Sequence, residues 1–370
     1  MRILHIDSEK GFGGGQRQVI FLIRELKKEE KITQALAASP GSEIEKHVLA
    51  MNVSVLPLEQ RNDADIFSAM RLAKYAKEFQ PDIIHTHTAR SLSMTWLART
   101  ILRMGRPPVI INTRRVAFPL KGPMARSKYR NGADFHIAIS NACHDQIVQA
   151  GVSPQRTAII PDGIEIPESI NREETRKKLI ALTGFEERNL IIGASGNLFP
   201  VKRFDWLVDA VSMARKDVPN VRLVLFGDGE CRREIENIIK KSGQDEAIHI
   251  AGHVDRPERF FAGLDIFAMP SRDEGLGTSL IDAMARGVPL LASNTSGIKD
   301  VVQENVNGLM FDPDSPDDLV AKLSMLAGNA ELRRSLSDKG PAIAAEKFNI
   351  TDISRKILEY YKACVGREGE

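Results

Sequence analysis

The feature that most constrains how this chain can fold is a regular alternation of short apolar runs with longer amphipathic stretches. Short runs of aliphatic and β-branched residues are typical of strands, and the stretches between them have the length and periodicity of helices. Strands that alternate with helices favour a parallel sheet covered by helices on both faces. In the first half of the chain, strands are predicted near residues 2–6, 32–38, 53–57, 82–86, 108–113, 134–139 and 157–160.

One segment interrupts this alternation. The residues "PDGIEIPESINREE", 161–174, are rich in proline and charge, which is typical of a domain boundary. After about residue 313 the pattern is helical to the end, and "PDSPDDLVAKLSMLAG" opens with the Asp, Ser and Pro residues of a helix start. Between these two segments, strands are predicted near residues 189–195, 220–226, 247–250, 265–268 and 289–292.

The length of 370 residues allows two domains, each with its own core. We predict an α/β protein with a Rossmann-like domain at 1–163 and a second one at 164–349. A C-terminal helix at 350–370 is expected to pack back onto the first domain. Two doubly wound domains in tandem imply that they face a cleft, with ligands at the carboxyl ends of the strands.

The composition favours an ordinary globular protein, with 42% hydrophobic and 27% charged residues. Three cysteines without a C-x-x-C spacing indicate neither a disulfide framework nor a zinc knuckle, and they fit a reducing cytoplasm. No window approaches the roughly 18 apolar residues of a spanning helix. Because Asp7 directly follows the first strand, "RILHI", we also expect no signal peptide.

Charge is distributed unevenly along the chain. Residues 1–160 hold 23 Lys and Arg against 14 Asp and Glu, and the segment 83–133 contains ten Lys and Arg but no acidic residue. Either these side chains lie on solvated helix faces, or they form a surface for anionic lipid or an anionic acceptor. Nucleic acid is not expected, because no aromatic interleaving or recognition motif accompanies the charge.

The most informative short stretch is "PSRDEGLGTSLIDAMARGVPLLAS", residues 270–293. It is interpreted as a strand end, a loop that carries Glu274, and a helix opened by Thr278. Gly275 and Gly277 allow the loop backbone to approach a ligand, and Asp282 lies in the first turns of the helix. Carboxylates beside the N–H groups of a helix start indicate a ligand with both hydroxyl and phosphate groups.

A second glycine-rich loop, "GFGGGQ", follows the first strand and opens the first helix. It is a poor dinucleotide fingerprint, because Gln16 stands where a small residue is needed and no acidic residue closes the second strand. A tight turn without a ligand is one interpretation. The glycines at 13, 14 and 15 favour the other, a close approach of the backbone to a phosphate or sugar.

Two histidines mark a strand end in "DIIHTHTARS". His85 and His87 have the period-2 spacing that places both on one face of a strand. A two-histidine metal site, purely structural histidines and a histidine that bonds a substrate hydroxyl are all open, and the third is preferred for His87. The metal site is disfavoured because no third His, Cys or acidic residue lies at a convincing spacing.

A fourth segment, "ASGNLFPVKRFD", residues 194–205, is interpreted as a strand end, a loop and a helix start. Lys202 and Arg203 are expected to be aimed at a diphosphate. A solvated cation pair before a helix is common, so this segment gains weight only beside the other three.

Taken in this order, the four segments resemble a family 4 glycosyltransferase of the GT-B fold, over essentially the full length. The family carries an E-x7-E element within a "PS..EGFG....EAMA.G.PV" block, and here Glu274 and Asp282 fill the two acidic places. Other matches are the glycine-rich loop, the H-x-H strand end, "IPDGIE" for the usual "IPNGVD", "VLFGDGE" for the usual strand end, and "SGIKDVV" for "GGxPEVV".

The resemblance implies retaining, metal-independent transfer of a hexosyl or heptosyl group from a nucleotide diphosphate sugar, with UDP, GDP or ADP and no cofactor. His87, Glu274 and Lys202 would be the catalytic residues, with His87 and Glu274 on the donor sugar and Asp282 on the ribose. The donor site would comprise Gly13, Gly14, Gly15, Asn197, Lys202, Arg203, Glu274, Gly275, Gly277, Thr278 and Asp282.

Three departures from the family pattern bear on these assignments. Asn197 stands where the family commonly has an arginine, Asp282 is shorter than the usual Glu, and Asp162 replaces the usual Asn. Arg203, normally a glycine, is expected to supply the missing cation.

We expect the first domain to bind an envelope polysaccharide, lipopolysaccharide or lipid-linked acceptor. The protein is expected in the cytoplasm, with peripheral binding at the inner face of the membrane as an option. Two alternatives stay open: a nucleotide-sugar epimerase on the same scaffold, and a noncatalytic sugar-binding paralogue.

Overall fold

The computed structural model describes residues 1–101 and 107–367, which form two compact units. Unit 1 comprises Met1–Gly163 and the residues from Ile350 onward, and unit 2 comprises Ile164–Asn349. Each unit contains one parallel sheet.

Unit 1 has a sheet of seven strands in the order β3-β2-β1-β4-β5-β6-β7. Its strands are β1 (Arg2–Asp7), β2 (Thr33–Ala38), β3 (Ser54–Pro57), β4 (Ile83–Thr86), β5 (Val109–Arg114), β6 (Phe135–Ala138) and β7 (Thr157–Ile159). Its helices are α1 (Gly14–Leu26), α2 (Glu43–Ala50), α3 (Ile66–Phe79), α4 (Ala89–Ile101), α5 (Pro123–Gly132), α6 (Asn141–Gln149) and α14 (Ile350–Arg367).

Unit 2 has a sheet of six strands in the order β10-β9-β8-β11-β12-β13. Its strands are β8 (Leu190–Ser195), β9 (Val221–Phe226), β10 (Ile248–Gly252), β11 (Ile266–Met269), β12 (Leu290–Ser293) and β13 (Gly308–Phe311). Its helices are α7 (Arg172–Thr183), α8 (Phe204–Ala214), α9 (Arg232–Lys241), α10 (Thr278–Met284), α11 (Pro316–Gly328), α12 (Ala330–Asp338) and α13 (Gly340–Phe348).

The helices cover the sheets through apolar stripes with helical spacing. In α1, the buried residues Val19, Leu22, Ile23 and Leu26 recur at intervals of three and four. Each such side chain stabilises the folded state by about 1.5–3 kcal/mol when it is removed from water. The C-terminal α14 joins the same core, where its Tyr361 is fully buried.

The predicted α/β fold class is confirmed, and the twelve predicted strands correspond to β1–β12. The strand β13 was not predicted. It has only four residues, begins with Gly308 and lies at the edge of the sheet beside β12, so neither its length nor its composition distinguishes it from a loop. Among the described residues, no helix is long and apolar enough to cross a bilayer.

Candidate functional site

Each sheet has one point at which the strand order changes direction. In unit 1 this switch point lies between β1 and β4, and in unit 2 it lies between β8 and β11. Loops that leave neighbouring strands in opposite directions open a crevice there, which is where doubly wound sheets bind ligands. The four segments singled out in the sequence follow these four strands.

At the switch point of unit 2, a cation and an anion meet. Lys202 follows β8 and its Nζ contacts Oε1 of Glu274, which follows β11. The Ser271 hydroxyl donates to the same carboxylate oxygen at 2.8 Å. Both charged side chains are mostly buried, with 21% of Lys202 and 14% of Glu274 exposed. Two predicted site residues 72 positions apart are therefore brought together.

Backbone contacts hold the loops that carry this pair. The amide of Arg272 donates to the Val201 carbonyl at 2.8 Å, which ties the β11 loop to the β8 loop. The next loop along the sheet approaches so closely that a Cβ at Gly227 would lie 1.9 Å from the Gly196 carbonyl oxygen. Only glycine fits there, so the "VLFGDGE" strand end has a packing reason for its first glycine.

The rest of the 270–293 stretch forms the start of α10. Gly277 precedes the helix with φ of 83°, a left-handed conformation that favours glycine, and Thr278 is the first helical residue. Asp282 is 4% exposed, and its Oδ1 lies 3.7 Å from Nη1 of Arg286. Asp282 thus lies close to the predicted loop but already has a cationic neighbour.

Arg203 does not join Lys202 and Glu274. Its guanidinium donates to the Pro313 carbonyl and lies 4.2 Å from the centre of the Trp206 ring. The backbone at Arg203, which precedes α8, is left-handed with φ of 50°. That Arg203 is aimed at the same ligand as Lys202 stays a prediction, and its guanidinium has other partners in this structure. Asn197 lies on the loop after β8, where its carbonyl accepts from the Phe199 amide at 2.8 Å.

At the switch point of unit 1, three histidines form a buried cluster. His5 on β1 is in register with His85 on β4, and His87 follows β4 directly. Nδ1 of His5 lies 3.1 Å from Nε2 of His87, and the rings of His85 and His87 are 4.0 Å apart. The expectation that no third histidine accompanies His85 and His87 is therefore wrong. It failed because sequence spacing along one strand does not reveal a partner on the neighbouring strand.

The cluster supplies the ligand type of a zinc site, since one nitrogen from each ring lies within 4.8 Å of the others. Hydrogen bonds already occupy five of its six ring nitrogens. His5 contacts His87 and Gln34, and His85 contacts the Tyr361 hydroxyl at 2.5 Å and the Thr113 hydroxyl at 2.7 Å. A metal ion would have to displace several of these bonds, so the residues fit a hydrogen-bonded network better than a metal centre.

Burial sets the protonation of the cluster. Desolvation lowers the pKa of His5 to about 4 and lowers the pKa of both His85 and His87 well below 6.5. Neighbouring histidines and the Arg115 charge lower the pKa of His87 further. All three rings are therefore neutral near pH 7 and act as hydrogen-bonding groups.

A charged group beside the cluster was missed by the sequence reasoning. Nε of Arg115 donates to Oδ1 of Asp162 at 3.1 Å, and its Nη1 donates to the His87 carbonyl at 3.4 Å. Burial raises the pKa of Asp162 while Arg115 opposes that rise. In the sequence, Asp162 is only a departure from the family pattern, and the acid-free run that contains Arg115 carries no signal for this pairing.

The glycine-rich loop leads into α1 beside these residues. The Gln16 side chain reaches back to both ends of the loop. Its Oε1 accepts from the Gly13 amide at 3.1 Å, and its Nε2 donates to Oδ2 of Asp7 at 3.1 Å. Gly14 is the first residue of α1, and Gly15 follows it. Gln16, which argued against a dinucleotide fingerprint, is thus the residue that fixes the loop.

Several cations of the segment 83–133 are used inside unit 1. Arg99 pairs with Asp134 at 2.7 Å, and Nη1 of Arg114 donates to the Tyr129 hydroxyl at 2.8 Å. Lys128 contacts Asp63 at 3.4 Å. Arg103 and Arg106 lie outside the described residues. Part of the basic segment 83–133 therefore forms ion pairs and hydrogen bonds within unit 1.

Comparisons with known proteins cover both units. The model "Glycosyltransferase Family 4" matches residues 12–167, and the model "Glycosyl transferases group 1" matches residues 175–342. The crystal structure of Anabaena HepE in complex with UDP and glucose superposes with a TM-score of 0.86 at 20% identity, covering 98% of this chain and 100% of that one.

Two curated relatives illustrate the sequence similarity. A GDP-mannose-dependent phosphatidylinositol monomannoside mannosyltransferase of Mycobacterium tuberculosis is 30% identical over 220 residues, which is 54% of this chain and 56% of the relative. A lipopolysaccharide core biosynthesis glycosyltransferase of Rhizobium meliloti is 27% identical over 171 residues, 45% of this chain and 49% of the relative. The chain spans about half the length of these relatives.

The two family models lie on either side of the boundary between the units: the first contains six of the seven strands of unit 1, and the second contains all six strands of the unit 2 sheet. The chain therefore belongs to the family 4 glycosyltransferases, which have the GT-B fold.

Proposed function

We propose that the chain is a retaining glycosyltransferase that moves a sugar from a nucleotide diphosphate sugar to an envelope polysaccharide, lipopolysaccharide or lipid-linked acceptor. The observation that carries this proposal is the contact of Lys202 with Glu274 at the switch point of unit 2. The donor and acceptor classes are supported by the relatives and the structure named above, which are described with GDP-mannose, UDP and lipopolysaccharide core biosynthesis.

The pair suits the two ends of such a donor. A carboxylate accepts hydrogen bonds from sugar hydroxyls, so Glu274 would hold the sugar, and Ser271 would keep the carboxylate in place. A lysine is a compact positive charge, so Lys202 would neutralise the diphosphate as it leaves. In the transfer, the bond from the anomeric carbon to the diphosphate breaks and the acceptor oxygen bonds to the same face of that carbon. The acceptor proton leaves with the diphosphate.

Other proposed donor contacts follow the sequence analysis with two adjustments. Gly275, Gly277 and Thr278 line the start of α10, where backbone N–H groups favour an anion. Asp282 would bind the ribose in competition with its ion pair to Arg286. Arg203 would act indirectly, because Pro313 and Trp206 already hold its guanidinium.

The experiment that tests the proposal is release of nucleoside diphosphate from UDP-, GDP- and ADP-sugars, with and without lipopolysaccharide or polysaccharide acceptors. We expect acceptor-dependent release with one base, and a product whose anomeric configuration by NMR equals that of the donor. Conversion of the donor to its epimer without acceptor would identify an epimerase instead. Binding without turnover would identify a noncatalytic paralogue.

A thermal-shift measurement with free nucleotides identifies the base of the donor before the sugar is known. A nucleotide at 100 times its dissociation constant adds about 2.7 kcal/mol to the free energy of unfolding, which raises the melting temperature measurably. We therefore expect one of UDP, GDP and ADP to raise the melting temperature clearly more than the other two. Glu274→Gln should keep the shift from the nucleotide alone if Glu274 contacts the sugar and not the base.

Unit 1 is proposed to bind the acceptor. A cavity in this unit is lined by Lys10, Arg61 and Arg90 together with Glu9 and Glu59. Lys10 and Glu59 form an ion pair of 2.7 Å at its rim. Arg61→Glu should raise the KM for an anionic acceptor more than the KM for the donor, and equal effects on both would contradict this placement.

A membrane contact of unit 1 is proposed for one exposed part of the basic segment 83–133. Phe118 and Met124 are 53% and 81% exposed, and Lys121 and Arg126 lie exposed between and beside them. Apolar side chains flanked by cations are typical of surfaces that bind anionic lipid. Such a contact would place a cytoplasmic protein at the inner face of the membrane.

Sedimentation with phosphatidylglycerol vesicles tests this contact. Binding should fall steeply between low and roughly 0.3 M salt, because exposed charges are screened beyond one Debye length. Met124→Ser should weaken binding, whereas Met325→Ser, which changes a methionine of unit 2 that is 51% exposed, should not. Equal sedimentation with neutral vesicles would overturn the proposal.

A further inference from the structure

The buried histidines carry more information than their burial, because their hydrogen bonds form a chain with a defined direction. The chain starts at α1, where Nε2 of Gln34 lies 3.1 Å from the Ile23 carbonyl oxygen. A carbonyl oxygen can only accept, so the amide nitrogen of Gln34 must face it. The amide oxygen of Gln34 therefore faces the other way, toward Nε2 of His5 at 3.1 Å.

The next link is His5. An amide oxygen can only accept, so Nε2 of His5 must carry a hydrogen. Burial lowers the pKa of His5 to about 4, so the ring is neutral near pH 7 and carries only that one hydrogen. Nδ1 of His5 therefore presents a lone pair.

The third link is His87. Its Nε2 lies 3.1 Å from Nδ1 of His5, so Nε2 of His87 must donate. Burial also lowers the pKa of His87 well below 6.5, which leaves its Nδ1 without a hydrogen. This Nδ1 is buried and has no hydrogen-bond partner among the residues that the structure describes. The backbone amide of His87 donates to the Ile6 carbonyl at 3.0 Å, which fixes the ring beside β1.

We infer that Gln34 and His5 set the tautomer of His87, so that its buried Nδ1 is held as an acceptor for a hydroxyl of a sugar substrate. The inference rests on the proposed function for the identity of the ligand. An unmade hydrogen bond at a buried acceptor is destabilising, and a sugar hydroxyl supplies the missing hydrogen. His87 is 4% exposed, so that bond would form away from water, where it is stronger.

Gln34 and His5 are thus positioning residues and His87 is the residue that touches substrate. The opposite tautomer of His87 would place a hydrogen on Nδ1, which would then donate to a ligand oxygen and could no longer accept from a hydroxyl. The direction of the hydrogen bonds from His87 to His5 and Gln34 also determines which ligands fit. A substrate analogue in which the contacting hydroxyl is replaced by fluorine or hydrogen lacks the proton that Nδ1 accepts.

The direct test is long-range ¹H–¹⁵N NMR of the ¹⁵N-labelled full chain at pH 7, which distinguishes protonated from unprotonated ring nitrogens. We expect Nε2 of His5 and Nε2 of His87 to be protonated and both Nδ1 atoms to be unprotonated. A hydrogen on Nδ1 of His87 would overturn the inference while leaving the tests of Lys202 and Glu274 untouched.

A variant separates positioning from structural support. Gln34→Met keeps the side-chain volume but removes the acceptor that orients His5, so His87 should populate both tautomers. We expect kcat to fall about 5- to 10-fold with little change in the donor KM, which corresponds to about 1 kcal/mol, one hydrogen bond. An unchanged tautomer in Gln34→Met would contradict the inference.

Gln18 offers a matched control. It is 3% exposed, lies in unit 1 like Gln34, and exchanges two hydrogen bonds with the backbone of Gly163 at 2.7 and 3.0 Å. Gln18→Met should lower stability but leave the spectrum of His87 unchanged. A spectrum altered equally by both variants would show that general loosening of unit 1, and not Gln34, moves the tautomer.

Deoxyfluoro analogues of the active donor and of its acceptor test the ligand side. In the wild type, one analogue should bind more weakly than the parent substrate. In His87→Phe the same analogue should bind as well as the parent substrate, because the variant has already lost the hydrogen bond that the analogue cannot make. If the chain turns over no nucleotide sugar, the proposed function fails by itself, and the NMR experiment still decides whether the tautomer is set as inferred.

Discussion

The two switch points of this protein share a topology but not a chemistry. In unit 1, the point between β1 and β4 holds three neutral histidines, and in unit 2 the point between β8 and β11 holds the Lys202 and Glu274 pair. Both lie where the strand order reverses, so the fold decides the location and the residues decide the chemistry. Neutral rings suit uncharged hydroxyls, whereas a lysine beside a carboxylate suits a ligand with a charged end and a hydroxylated end.

The comparison also separates two ways of making a site polar. The histidines are fully buried and uncharged because desolvation depresses their pKa. Lys202 and Glu274 keep part of their surface in solvent and contact each other. Unit 1 should therefore respond to acid, and unit 2 should respond to loss of a charge.

Loss of the lysine charge is expected to have the largest effect. Lys202→Ala should lower kcat on the order of 10²- to 10³-fold, because a fixed cation near the leaving diphosphate is removed. Steady-state rates of nucleotide release measure this effect. Lys202→Arg keeps the charge and should retain more activity than Lys202→Ala. A kcat for Lys202→Ala within a few-fold of the wild-type value would show that Lys202 does not neutralise the leaving diphosphate.

Acid should weaken unit 1 more than unit 2. Unfolded histidine titrates near 6.5 and folded His5 near 4, so the unfolded chain binds more protons between these values. The free energy of unfolding therefore falls as the pH drops from about 6.5 toward 4, by about 3 kcal/mol for His5 alone at 1.36 kcal/mol per unit. The raised pKa of Asp7 and of Asp162 acts in the opposite direction.

Hydrogen exchange of peptides from each unit, corrected for intrinsic rates, compares pH 7 with pH 5. Protection should fall more in unit 1, where His5, His85, His87 and His136 are buried, than in unit 2, where the pKa of the half-buried His249 is lowered. His5→Leu should flatten the pH dependence of unit 1. Equal losses of protection in both units would break the comparison.

Loss of the carboxylate charge should come next. Glu274→Gln keeps the shape but weakens the acceptor for sugar hydroxyls, so kcat/KM should fall by roughly 10²-fold, or about 2.7 kcal/mol. A double-mutant cycle with Lys202→Ala sharpens this prediction, because residues in direct contact couple. Full additivity of the two substitutions would mean that the contact between Lys202 and Glu274 has no role in turnover.

Arg203 should matter less for catalysis than Lys202. Its guanidinium is engaged by Pro313 and Trp206, so Arg203→Ala should lower the melting temperature and reduce kcat by less than about 10-fold, or 1.4 kcal/mol. Thermal unfolding and initial rates on the same preparation separate the two effects. A drop in kcat as large as that of Lys202→Ala, at unchanged melting temperature, would return Arg203 to the diphosphate.

Chelation should have the smallest effect. Lys202 is proposed to do the neutralising that a metal ion does in other nucleotide-sugar enzymes, so activity should be nearly intact after dialysis against EDTA. Elemental analysis of the same sample checks whether metal was present. Activity that disappears and returns with Mg²⁺ or Mn²⁺ would end the metal-free proposal and bring back His5, His85 and His87 as ligands.

The sequence by itself determined the fold class, since a chain that alternates apolar strands with amphipathic helices has few ways to bury both. It also located the four loops at strand ends, and the resemblance gave the family. It missed β13, because four residues at a sheet edge carry little periodicity. The roles assigned to Glu274, Lys202 and His87 stay predictions.

Only the tertiary structure decided which side chains share a site. His5 joins His85 through strand register, Arg115 joins Asp162 across 47 positions, and Arg203 contacts Pro313 and Trp206. The physical reason is that local patterns arise from neighbours in the chain. Contacts across strands, and the burial that sets their charge, depend on packing that no single segment encodes.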